Sequence, residues 1–250
     1  MLAQILIKKM FILAAGAASI CLATDKAPAK LKKEKRVLVF AKTNGYHHES
    51  IAEGTLAIMK LGKENHFAVD STTDSLMISG ANLKKYSVVV FLSTTGKVLG
   101  TEQETALQNF IHKGGGWVGI HAAADCEYNW PWYGKLVGGY FKSHPKQQQA
   151  KLQVIDKSHP STKHLPDTWE RWDEWYNYKD LNPDVTVLIK IDETSYTGGE
   201  NNGNHPMAWY HNYDGGKAFY TEMGHTKESF VDPVYLQHVL GGIEWAMGKK

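Results

Sequence analysis

Three short, almost wholly apolar stretches constrain this chain more than any other feature: Arg36–Ala41 (RVLVFA), Ser87–Leu92 (SVVVFL) and Trp117–Ile120 (WVGI). A strand that is apolar on both faces has to be covered above and below, as in a parallel sheet between two helical layers. Between these stretches, Ile51, Leu56, Ile58, Met59 and Leu61 fall at roughly helical spacing. Glu102–His112 alternates like an amphipathic helix, stopped by Gly114-Gly115-Gly116. Further strands are expected at Phe67–Val69, Leu152–Ile155, Val185–Ile191, Met207–Tyr210 and Lys217–Tyr220. A closing helix is expected from Pro233 to Met247, with Leu236, Val239, Leu240, Ile243 and Trp245 on its apolar side. The alternation predicts an α/β domain with a mostly parallel central sheet. No internal repeat breaks it, and 250 residues suffice for a single domain of this kind.

The first residues read as an address. Lys8 and Lys9 precede an apolar run from Met10 to Ile20, and small residues follow to Ala23, the pattern of a secretory signal peptide over residues 1–23. The run is short of the ~20 apolar residues of a membrane span, so no transmembrane anchor is expected. A lipoprotein would use Cys21, but Ile20 before it is large where a small residue is needed. The expected location is therefore periplasmic or secreted, with residues 24–35 as a Lys-, Ala- and Pro-rich tether and 36–250 as the folded domain. Loss of the leader removes two lysines from a chain of net charge +2 and leaves it formally neutral. Such a balance gives no reason to expect a nucleic-acid partner. Only Cys126 would remain, so no internal disulfide is available.

In open α/β sheets, ligands bind beyond the carboxyl ends of the strands. That rule selects Thr43–His48, Ser93–Gly96 and His121–Asp125, each polar and directly following an apolar strand. It brings His47, His48 and His121 towards one another. Twelve histidines are present, several in Gly- or Pro-flanked loops, including His144, His205 and His225. Imidazole is both a common metal ligand and an acid or base near neutral pH. No close-spaced metal motif occurs, so a metal site has to come from distant loops, with His47, His121 and His225 as its ligands and a divalent ion such as zinc as its occupant. His121 stands where a strand-to-helix elbow would project a nucleophile, but imidazole takes the place of a serine or cysteine. Cys126, five residues on, reads as a small buried hydrophobe.

The stretch Trp169–Tyr178 (WERWDEWYNY) mixes aromatic rings with carboxylates. Flat rings stack on the C–H faces of sugars, and carboxylates accept bonds from hydroxyls. Packing of the same tryptophans against the sheet is the plainer alternative. Asp173 and Glu174, set among bulky rings, are candidates for partly desolvated carboxyl groups. Thr197–Asn204, rich in Gly and Asn, reads as a mobile loop.

These motifs together resemble the trehalose-utilisation (ThuA-like) family. The resemblance is carried by Gly45–Ser50, Gly115–His121, Gly138–Phe141 through His144-Pro145, Asp173–Tyr176, Asn204–Pro206, Trp209 and Gly224-His225, and it runs from about Val37 to Gly248. It implies a flavodoxin-like three-layer sandwich of the class I glutamine amidotransferase-like kind. His121 replaces the glutaminase cysteine, so glutaminase activity does not carry over. The resemblance implies sugar catabolism, acting on disaccharides or glycosides oxidised to a 3-keto form by a partner oxidoreductase. A ketone at C3 acidifies the C2 hydrogen, and the resulting enolate can expel the glycosidic oxygen or isomerise. Expected catalytic residues are His121, Glu174, His47 and His48. Tyr46, Asp125, Asp173, Trp175, Tyr176, His144, His205 and Trp209 are expected to hold substrate. A non-catalytic carbohydrate-binding protein and a scaffold for a sugar oxidoreductase are the rival readings. Hydrolase, lyase and isomerase remain open within the enzymatic one.

Overall fold

A computed structural model describes residues 34–249; the leader and nearly all of the tether lie outside the described residues. Lys35, assigned to the tether, already belongs to the body: its carbonyl accepts from the Ala68 amide. The first half of the chain gives β1 (Arg36–Phe40), α1 (Ile51–Glu64), β2 (Ala68–Thr72), α2 (Gly80–Leu83), β3 (Val88–Leu92), α3 (Thr101–His112) and β4 (Gly116–Ile120). Then follow α4 (Pro131–Val137), β5 (Tyr140–Ser143), β6 (Gln148–Val154), β7 (Thr168–Asp173), β8 (Asn177–Lys179) and β9 (Thr186–Ile191). The chain closes with β10 (Pro206–Tyr213), β11 (Gly216–Thr221) and α5 (Pro233–Ala246).

Nine strands form one mixed sheet in the order β2-β1-β3-β4-β11-β10-β9-β6-β7. From β2 to β11 all neighbours run parallel. From β11 to β7 they run antiparallel. The burial of the strands explains the division. β3 and β4 are buried at every residue and sit in the middle of the parallel half. β7 alternates exposed and buried along its length and ends the antiparallel half as an edge strand. A strand with one wet face belongs in an antiparallel extension, where one side of the sheet meets solvent. β5 and β8 pair separately as a small antiparallel ribbon.

α5 packs differently from the expectation. Its buried face runs through Tyr235, His238, Val239, Gly242, Ile243 and Ala246, and Leu236 and Trp245 are only half-buried. The reason is close approach: a Cβ on Gly241 would meet the Pro160 carbonyl oxygen at 2.5 Å, and one on Gly242 would meet the Phe219 ring at 2.3 Å. The helix presses its glycine side, not its bulkiest residues, onto the sheet. Among the described residues, no helix is long and apolar enough to cross a membrane.

Candidate metal centre

The loops after β1, β3 and β4 converge as the strand-end rule requires. Thr43 pairs with Thr95 and Gly96 with Cys126, and the Asn44 amide donates to the Thr95 carbonyl at 2.8 Å. This convergence places His48, three residues before α1, beside His121, the first residue after β4. Their rings are 4.7 Å apart, edge to face. His121 sits in the left-handed region at φ 51°, which turns its ring off the strand and into the crevice. Such a conformation in a non-glycine residue costs about 1–3 kcal/mol and persists only where its surroundings enforce it. Here the Nδ1–H donates to the Glu222 carbonyl at 2.8 Å, which turns Nε2 towards the site.

The antiparallel half supplies the rest. Glu174 follows β7, and His225 lies in the loop after β11. His121 Nε2, His225 Nδ1 and Glu174 Oε2 form a triangle with edges of 3.1 Å (histidine to histidine), 3.1 Å (His225 to Glu174) and 3.4 Å (His121 to Glu174). A tetrahedral ion with bonds of about 2.0–2.1 Å spaces its ligands about 3.3 Å apart, so these atoms already outline one face of a coordination tetrahedron. His48 supplies a fourth ligand atom: all four groups offer one within 4.8 Å of every other. The cluster of three imidazoles and one carboxylate is able to hold a metal ion.

Electrostatics point the same way. Burial alone lowers the basicity of His121, but hydrogen bonds to Glu174 and Glu222 outweigh it and raise its pKa to about 10. Burial pushes Glu174 up, but its hydrogen bonds with His121 and His225 win and hold it well below the usual carboxylate range. Burial, followed by repulsion from His121 and His225, pushes His48 down to about 2, so it stays neutral with one ring-nitrogen lone pair free. Its Nδ1 is buried without a hydrogen-bond partner. The field that draws a proton onto His121 draws a cation to the same place, and the two compete.

The loop bearing His225 is held from behind. Asp173 accepts the Gly224 and His225 amides, each at 3.1 Å, and the Ser229 hydroxyl at 3.1 Å. Ser50 at the start of α1 donates to the Gly224 carbonyl at 3.0 Å. Gly224 has φ 118°, and a Cβ there would lie 2.5 Å from the Tyr235 hydroxyl oxygen. Glu222 backs His121 a second time. Its Oε1 lies 3.7 Å from His121 Nδ1 and accepts the Tyr176 amide at 3.1 Å. Burial pushes the Glu222 carboxyl up to about 7, against the pull of His121.

Several expected contacts take other places. His47 is exposed and bonded to Thr43 through Nδ1, so it stands outside the cluster; its neighbour His48 turns inward instead. Asp173 is buried and positions a loop, with no side left for a substrate. Trp175 and Trp209 are wholly buried, and their indoles donate to the Gln148 and Val137 carbonyls. His205 is buried between Glu193 and the Tyr176 carbonyl, so it supports the backbone there. The loop expected to be mobile is fastened: Glu193 accepts the Asn201 and Gly203 amides, and Asn177 donates to the Gly198 carbonyl. Tyr176 forms a floor, its ring 4.4 Å from that of His121. Tyr46, His144 and Asp125 stand around the cluster. Tyr46 is exposed with its ring 4.8 Å from His48. His144 Nδ1 lies 3.2 Å from Glu174 Oε1. Asp125 is half-buried and accepts from the Tyr128 hydroxyl at 2.6 Å. Glu222 was not foreseen, although its place just past β11 obeys the same strand-end rule.

A cavity of about 610 Å³ lies at the other end of the parallel strands, between Ser87, Gly115, Gly216 and Met247. Its charged residues are Lys35, Lys84, Lys113 and Lys217, and it has no acid–base cluster. Lys35 and Lys217 are already engaged by the carbonyls of Met247 and Trp245 at the end of α5. The cluster of His48, His121, Glu174 and His225 sits at the opposite, carboxyl ends of the strands.

The family model for trehalose utilisation, ThuA, matches residues 36–246, and that span contains every residue of the cluster. This chain belongs to the ThuA family. Among solved structures, a ThuA-like protein from Bacteroides uniformis is 27% identical over 88% of this chain and 95% of its own, with a TM-score of 0.72. Another from Parabacteroides merdae is 20% identical over 87% and 91%, with a TM-score of 0.70. A β-galactosidase from Bacillus circulans sp. alkalophilus shares the fold over 31% of its own length, at 13% identity and a TM-score of 0.55. Among curated proteins, none matches. The ThuA domain here is α/β with a mixed, largely parallel sheet, and the family implies a role in sugar utilisation.

Proposed function

We propose that this chain is a metal-dependent enzyme of sugar catabolism, acting on an oxidised 3-keto disaccharide or glycoside by enolate-type cleavage or isomerisation. The His121–His225–Glu174 triangle carries the reading, because no packing requirement explains two imidazoles and a carboxylate at 3.1–3.4 Å around one point. His48, His121, His225 and Glu174 hold a divalent cation, zinc by the nitrogen-rich character of the set. When bound, such an ion polarises a carbonyl oxygen and stabilises the enolate that forms from it. Tyr46 and Tyr176 orient the sugar. His144 and Asp125, at the cluster but outside the cation-holding set, carry the C2 proton and the proton for the departing oxygen. The ketone has to be installed beforehand, which calls for a sugar oxidoreductase acting upstream. The basic and apolar segments of residues 1–23 support export, and N-terminal sequencing of protein recovered from the periplasm or medium checks it.

Proton NMR of chelator-stripped protein with 3-keto-trehalose, with unoxidised trehalose as control, tests the reaction. Conversion of the keto-sugar alone, restored by added zinc, is the expected outcome. Zinc at about 100 times its dissociation constant should also add about 2.7 kcal/mol of stability. For a domain of this size that raises the melting midpoint by about 5–10 °C. Keto-sugar binding without product would favour the carbohydrate-binding reading. No response to zinc in either experiment would overturn the metal centre.

A further inference from the structure

The aromatic stretch after residue 168 is not exhausted by the metal centre. The fold buries Trp169 and Trp175 to 7% and 0% exposure, yet leaves Trp172 57% exposed. Nothing in the packing requires an indole there, since Thr168 and Glu170 on the same face of β7 are polar and exposed. Beside Trp172 opens a cleft of about 230 Å³, walled by the segment that follows His225 in the chain: Thr226, Glu228, Ser229 and Asp232. Glu170 and Arg171 complete it.

The lining suits one kind of ligand. An exposed indole offers a flat apolar face for the C–H side of a pyranose. Glu170, Glu228 and Asp232 accept bonds from ring hydroxyls, and the Thr226 hydroxyl oxygen accepts one more. Three carboxylates face one guanidinium, and Arg171 already bonds Asp232 at 2.7 Å and Ser229 at 2.9 Å. The resulting negative field repels phosphorylated and acidic sugars and leaves neutral ones. The volume lies below the ~300 Å³ at which drug-sized pockets begin, so it fits one ring and not a chain.

We propose that this cleft is a second sugar site, which holds a single neutral pyranose against Trp172, apart from the metal centre. It shares no residue with the cation-holding set. It meets the centre through the chain itself at Thr226 and through a run of hydrogen bonds, from Thr226 to Ser229 (3.1 Å), Ser229 to Asp173 (3.1 Å) and Asp173 to the His225 amide (3.1 Å). A sugar hydroxyl bound to Thr226 therefore bears on the loop that presents His225. The choice of a sugar as ligand rests on the sugar chemistry proposed above; the location of the cleft does not.

Saturation-transfer NMR and titration with methyl α-glucoside, methyl β-galactoside and methyl α-mannoside test it on the full chain and on three variants. At least one glucoside, galactoside or mannoside should bind both the wild type and His121→Ala. Trp172→Ala should weaken that binding by about tenfold, the loss of one stacking contact. Trp172→Phe should retain most of it, and glucose 6-phosphate should not compete. Binding that survives Trp172→Ala unchanged, binding that disappears in His121→Ala, or no binding of any of the three sugars overturns the proposal. A failed metal-dependent reaction with glycoside binding intact would sink only the catalytic reading, so the two failures separate.

Discussion

Replacing His121 with alanine is expected to abolish turnover and weaken zinc binding by more than about 100-fold, since loss even of an outer-shell partner costs 10–100-fold. The imidazole contributes one vertex of the triangle. The variant also strands the Glu222 carbonyl, which loses the Nδ1–H donor. An unmet buried acceptor costs about 1–3 kcal/mol, so the fold should survive with a lower midpoint. His121→Asn separates the two effects, because asparagine tolerates the left-handed backbone and keeps an N–H for the carbonyl. Calorimetric zinc titration of both variants, with circular dichroism as the folding control, reads the result. Zinc affinity equal to wild type in either one would remove His121 from the centre.

Asp173→Ala should act without touching a ligand. Its carboxylate is the common acceptor for three amides, those of Glu174, Gly224 and His225, and a hydroxyl, and it lies 3.6 Å from the Arg171 guanidinium. Removing one partner of a buried ion pair typically costs 3–5 kcal/mol; Arg171 keeps Asp232, which places the expected loss near about 3 kcal/mol. That corresponds to a midpoint about 6–12 °C lower. Zinc affinity should fall by about 10–100-fold because the Gly224–His225 turn is no longer pinned. Asp173→Asn keeps an acceptor for the amides and should lie between. A destabilised Asp173→Ala protein that binds zinc as tightly as wild type would show that the loop holds His225 without it.

The parallel half of the molecule was legible because its strands carry their burial in their composition: a run such as VVVFL admits few other environments. The strand-end rule then picked out His47, His48 and His121 from chain order alone, whereas His225 stood out only as a histidine in a Gly-flanked loop. The choice between His47 and His48 was not legible. Adjacent loop residues point in different directions, and in the folded loop His47 bonds Thr43 while His48 turns inward. β7 hid for a different reason. Its period-two pattern is present, but the inward positions hold Arg171 and Asp173, and charged residues on the buried face read as a surface. Arg171 is tolerated there because it lies 4.5 Å from the Trp169 ring and 4.9 Å from that of Tyr235, and bonds Asp232. The ribbon strands β5 and β8 are too short for any periodicity. The tryptophans of the sugar-like stretch divide as a strand divides them, with Trp169 inward and Trp172 outward.

The four side chains of the centre come from the turn before α1, the end of β4, the residue after β7 and the loop after β11. An ion held among them acts as a tie between the parallel and antiparallel halves of the sheet. Local fraying of a single loop costs such an ion little, but any opening that parts the two halves has to release it first. Partial unfolding, the usual entry point for proteases, then becomes coupled to cation supply. Shortage of the ion would shorten the life of the molecule as well as silence its chemistry.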